Sequence, residues 1–222
     1  MRLHLKALLP SLSLGLLLAT PLATLAITPI RRLEFNQDQL DPKMKVLGNI
    51  VDGVRWTDAS GENFLLLSET GTIPSRIPGT KAGAQDALLY IHHFILANGQ
   101  VTRGQGVMDG RTNAMGGLRA RFLPGSITLT DIDSDGIAES MVAYKVSQVL
   151  PAERGSEETR IYFKVTMLEG NDRYVASGVQ SLPHGGYKAE MAINETVRAS
   201  AVLRAALAKH WKQYAKEAFE KY

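Results

Sequence analysis

Acidic residues recur at every second position through Asp131, Asp133 and Asp135; Gly136 follows, and Glu139 stands three residues further on. Alternate carboxylates can converge on one point when the chain turns sharply between them, and glycine permits that turn. Carboxylates gathered this way repel one another unless a cation lies among them. A hard dication takes six to eight oxygens at roughly 2.3–2.6 Å, and this spacing supplies them. With Asp131 as position one, side chains come from Asp133 at three and Asp135 at five. The backbone carbonyl of Ile137 falls at seven, and Glu139 at nine can close the shell directly or through a water. The expected ligands are therefore Asp131, Asp133, Asp135, Ile137 and Glu139, and the expected ion is Ca²⁺.

Elements on either side must hold such a loop open. An EF-hand would place a bidentate glutamate at position twelve and a helix on each flank, but position twelve is Val142. The flanks, residues 126–130 and 140–146, are β-branched and aromatic and read as strands. The loop is thus a strand–loop–strand connection. Most of the chain follows the same style, with turn glycines at Gly61, Gly99, Gly136 and Gly170, separated by 38, 37 and 34 residues. Asn98-Gly99 is a strong hairpin dipeptide. The expected fold is α+β: a mostly antiparallel twisted sheet or partial barrel of hairpins, with a C-terminal amphipathic helix over residues 194–222. A degenerate, propeller-like repeat is the alternative. Residues 71–86 and 104–125, rich in Gly and Pro or in Gly and Arg, read as long loops. In the final helix Leu203, Leu207, Trp211, Tyr214, Ala218 and Tyr222 share one stripe, with Asn194 as its cap.

The DxDxDGxxE run followed by a strand resembles the calcium loops of integrin-type FG-GAP repeats and bacterial VCBS repeats, which also carry an acid at position nine. More widely, the chain is similar to a group of uncharacterised exported bacterial proteins. That group has an early WTDxxGEN turn, here Trp56 to Asn63, a central TDxDxDGxAE loop, here Thr130 to Glu139, and a closing helix rich in lysine and aromatics. FG-GAP proteins repeat the loop several times, and this chain has it once.

The amino terminus carries Arg2 and Lys6, an apolar stretch over residues 7–18 and a small-residue segment ending at Ala26. That order is a secretory signal peptide, with cleavage expected after Ala26 or Ala23. The expected organisation is a leader over residues 1–26 and a single domain over residues 27–222, periplasmic or secreted, with no membrane span once the leader is removed. The 222 residues include no cysteine, which excludes disulfides, thiolate catalysis and zinc–cysteine sites. Arg2 and Lys6 account for two of the net +3, so the mature domain is near +1 and gives no case for nucleic acid.

Other chemistry is sparse. His92 and His93 are adjacent, and neighbours in a strand face opposite ways, so they are not joint ligands on one face. His184 lies in a Pro-His-Gly-Gly turn and His210 beside Trp211 on the helix. No HExxH or GxSxG spacing occurs. Arg103, Arg111, Arg119 and Arg121 surround the glycine-rich segment and suit an anionic glycan or phosphate. The expected function is an exported calcium-binding protein, a binding or envelope-associated module whose partner is a glycan or envelope protein. The alternative is a calcium-dependent hydrolase of envelope or extracellular glycans, drawing a carboxylate pair from Asp109, Asp133, Asp135 and Glu139.

Overall fold

The computed structural model describes residues 30–150, 157–182, 192–193 and 200–220. The expected leader, His184, the expected cap Asn194 and the last stripe position Tyr222 lie outside them. Two six-stranded antiparallel sheets dominate. The first contains β1 (Arg31–Leu33), β2 (Asn49–Asp58), β3 (Gly61–Pro74), β4 (Gln85–Ala97), β5 (Gln100–Arg103) and β6 (Val107–Ala114). The second contains β7 (Leu118–Phe122), β8 (Thr128–Thr130), β9 (Glu139–Leu150), β10 (Glu158–Glu169), β11 (Asp172–Leu182) and β12 (Ala192–Ile193). Helix α1 spans Ala201–Glu220.

Alternation along the strands builds three layers. Trp56, Leu65, Leu67, Leu89 and Ile91 of the first sheet pack on Leu118, Phe122, Val142, Tyr144 and Val146 of the second. The opposite face of the second sheet presents Ile161, Phe163, Val165 and Met167 to Leu203, Leu207, Trp211 and Phe219 of α1. The outer face of the first sheet, with Phe64, Leu66 and Phe94, is covered by the segment carrying Phe35, Leu40 and Met44. The period of two in the strands and the 3.6-residue stripe in α1 are satisfied together. The Ser200 hydroxyl accepts from the Leu203 N–H at 3.3 Å, capping the helix as serines do. At the other end the buried Lys145 ammonium donates to the Ala218 carbonyl at 3.0 Å, satisfying one of the last carbonyls of α1.

All four turn glycines join antiparallel neighbours. Asn98 and Gly99 both adopt positive φ, 52° and 72°, as a two-residue hairpin turn requires. The hairpins are shared between two stacked sheets, not set as blades around an axis, so the propeller-like alternative is not adopted.

The two supposed long loops are corrected. Strand β3 runs through a register shift between Glu69 and Thr72 and continues to Pro74, which leaves only residues 75–84 as a connection. Residues 104–125 hold two strands, β6 on the first sheet and β7 on the second, so this stretch is the crossover between sheets. Gly110, inside β6, serves strand geometry. A Cβ on Gly110, where φ is +126°, would sit 2.1 Å from the Ala87 carbonyl oxygen. Glycine there admits a close backbone approach, which the sequence reads as looseness.

Candidate metal centre

The acidic loop leaves the end of β8 at Thr130 and enters β9 at Glu139, which pair with each other. Inside it Ser134 and Gly136 take positive φ, 65° and 87°, and turn the backbone back on itself. The Asp131 carboxylate accepts from the Asp135 N–H at 3.1 Å and the Gly136 N–H at 3.0 Å. The Asp135 carboxylate accepts from the Ile137 N–H at 2.7 Å. These bonds occupy part of each carboxylate, which has about four lone-pair sites in all. One oxygen each from Asp131, Asp133 and Asp135 lies within 4.8 Å of the others, close enough for one ion to touch all three.

Glu139 differs from the three aspartates. It is fully buried. One oxygen accepts from the Ile132 N–H at 2.5 Å, and the other, Oε1, has no hydrogen-bond partner. Burial raises its pKa to about 7, and the neighbouring charges of Asp133 and Glu169 push in the same direction, against the Ile132 hydrogen bond. An unpaired buried carboxylate oxygen is costly in a folded protein.

Glu169, at the end of β10, is the acid that sequence reasoning missed. Its carboxylate, with Asp133 and Glu139, forms a second group of oxygens within 4.8 Å of one another. Its pKa is raised, chiefly by burial and further by Asp133, Asp135 and Asp172, while the Tyr174 hydroxyl, donating at 2.8 Å, pulls it down. In sequence Glu169 opens a Glu-Gly-Asn-Asp turn and carries no metal signal. Only the register of β9 on β10, whose last pair is Leu168 with Ser140, brings it to Glu139.

The early WTDxSGEN turn is fastened to this loop. The buried Asp58 carboxylate accepts from Trp56 Nε1 at 2.7 Å, Asn63 Nδ2 at 3.0 Å and the Ser60 hydroxyl at 2.6 Å. It also accepts from the Ala138 N–H at 3.2 Å, and the Ala59 N–H donates to the Gly136 carbonyl at 2.9 Å. Two motifs far apart in sequence thus form one structure across the two sheets. His93 closes the far side of this network, stacking on Trp56 with ring centroids 5.6 Å apart and contacting Asn63 Oδ1 at 2.9 Å.

The other candidates do not converge. His92 and His93 point to opposite sides of β4, as strand geometry requires: His92 lies beside Ser68, at 3.1 Å. His210 is buried on α1 against the Tyr214 ring. Arg103 and Arg111 line separate depressions, and Arg119 and Arg121 are exposed on β7. Asp109 is bound by the Lys164 ammonium at 2.6 Å and the Tyr144 hydroxyl at 2.8 Å in a polar cleft of about 370 Å³. Burial raises its pKa, but hydrogen bonds from Lys164, the Gly110 N–H and Tyr144 outweigh that and hold it below the ordinary carboxylate value. Its partner Lys164 is five residues from Glu169 along β10, roughly 17 Å at the rise of an antiparallel strand. Asp109 therefore does not pair with the loop acids across a cleft at the 5–10 Å that glycoside hydrolysis needs.

No protein family, curated protein or solved structure matches the chain. Among the described residues, no helix is long and apolar enough to cross a membrane.

Proposed function

We propose that this chain is an exported calcium-binding protein in which Ca²⁺ clamps the connection between β8 and β9. The observation that carries the reading is the fully buried Glu139, with an unpaired oxygen beside a group of aspartates. Ordinary turn chemistry accounts for Asp131, Asp133 and Asp135, since their carboxylates accept loop N–H groups. It gives no reason to bury Glu139 with a free oxygen next to other acids. A cation supplies that reason. The donors are all oxygen, which suits a hard ion such as Ca²⁺ over zinc or copper. Asp131, Asp133, Asp135 and the Ile137 carbonyl bind the ion directly, and Glu139 acts at position nine through a water.

Export rests on residues 1–26, which read as a leader; the periplasmic or secreted domain, lacking cysteine, is held together without disulfides. Its role is binding, as an envelope-associated module with a glycan or envelope protein as partner. Asp133→Ala combined with Asp135→Ala tests the site: Ca²⁺ affinity drops below detection by calorimetry. Undiminished affinity in that double variant contradicts the proposal. Mass spectrometry of the exported protein tests the leader, with a mature start near Ile27 expected and an intact Met1 contrary.

A further inference from the structure

The oxygens gathered around the loop form two groups, not one. Asp131, Asp133 and Asp135 make the outer group, and Asp133, Glu139 and Glu169 the inner. Oxygens bound to one Ca²⁺ at about 2.4 Å lie at most about 4.8 Å apart, so each group can bind one ion. We infer that the protein has a second, inner cation position held by Asp133, Glu139 and Glu169, with Asp133 shared between the two.

Three features of the inner group call for a cation. Glu139 is fully buried, and its Oε1 is unpartnered. Glu169 and Glu139 meet one step beyond the last β9–β10 pair, and like charges placed opposite each other across strands destabilise a sheet. The donors that do reach these acids, the Ile132 N–H and the Tyr174 hydroxyl, are neutral and occupy one oxygen of each. A divalent ion among three carboxylates compensates the charge that these donors leave. It also ties the β10–β11 hairpin to the loop, which the outer ion alone does not do. The all-oxygen donor set points to Ca²⁺ here as well; Mg²⁺ demands a tighter octahedron and retains its waters.

The inner position deepens the calcium reading and depends on it for the outer ion. The test is a count of ions per chain at neutral pH, by equilibrium dialysis of the purified protein against radiolabelled Ca²⁺. The expected counts are two in the wild type, one in Glu169→Gln, and one in Asp131→Asn with Asp135→Asn. Near-UV circular dichroism checks that the variants are folded, and the wild-type count depends on no variant. A wild-type count of one, unchanged in Glu169→Gln, overturns the inner position and leaves the loop site standing. A count of one that Glu169→Gln abolishes makes Glu169 a ligand of a single ion and also overturns the second position. A count of zero removes both readings.

Discussion

Glu139 carries the largest electrostatic cost in the acidic cluster. An acid whose folded pKa is raised binds its proton more tightly in the folded state than in the unfolded state. Its ionisation therefore costs stability as pH rises from about 4.5 to about 7, and the full cost is present above that window. His93 and His210 act in the opposite sense. Burial lowers each to about 4, so the stability they contribute is lost as pH falls from 6.5 towards 4. A melting curve of the wild type alone mixes these effects, and a difference separates them. In chelator, the melting temperature of Glu139→Gln relative to wild type should rise between pH 5 and pH 8; a flat difference contradicts the cost assigned to Glu139. Asp58 shows the complementary case of a buried carboxylate whose donors are all in place. Asp58→Ala leaves the indole N–H of Trp56, the Asn63 amide and the Ala138 N–H without an acceptor, and should destabilise by about 3 kcal/mol or more in urea unfolding. At this scale, the convergence of Asp131, Asp133 and Asp135 was legible because their spacing is local. Glu169 was not, because its approach to Glu139 depends on strand register 30 residues away.

The elements were legible where local chemistry and period agree. The Asn98-Gly99 hairpin, the strand flanks of the acidic loop and the stripe of α1 all follow from turn preference or from a repeat of 2 or 3.6. Residues 104–125 failed for a specific reason: glycines signal looseness in a sequence, whereas Gly110 permits close strand packing. Gly110→Ala should therefore destabilise by more than about 2 kcal/mol, read as a lower urea midpoint, from combined overlap with Ala87 and backbone strain. A variant as stable as wild type would show that this packing is looser than described. Helix α1 makes its contribution through burial. Leu207 is fully buried against the second sheet, and Leu207→Ala should cost about 2–5 kcal/mol. A loss well under 1 kcal/mol would mean that the helix only rests on the sheet.

Across the whole molecule, three layers meet along two apolar seams, and the acidic loop lies where the hairpins of both sheets are fastened together. On the proposed reading, a cation there would act on the folded state as a whole, since its ligands come together only when the β2–β3 turn, the loop and the end of β10 are assembled. Binding at a hundredfold excess over Kd adds about 2.7 kcal/mol. For a domain of this size, that is a melting shift of roughly 5–10 °C. The most direct measurement is calorimetric titration of the protein with Ca²⁺, paired with thermal melts in Ca²⁺ and in chelator. Saturable binding with a melting temperature several degrees higher in Ca²⁺ is the expected result. No heat of binding at millimolar Ca²⁺, together with identical melts in the two conditions, would contradict the calcium clamp and leave the loop an acidic turn.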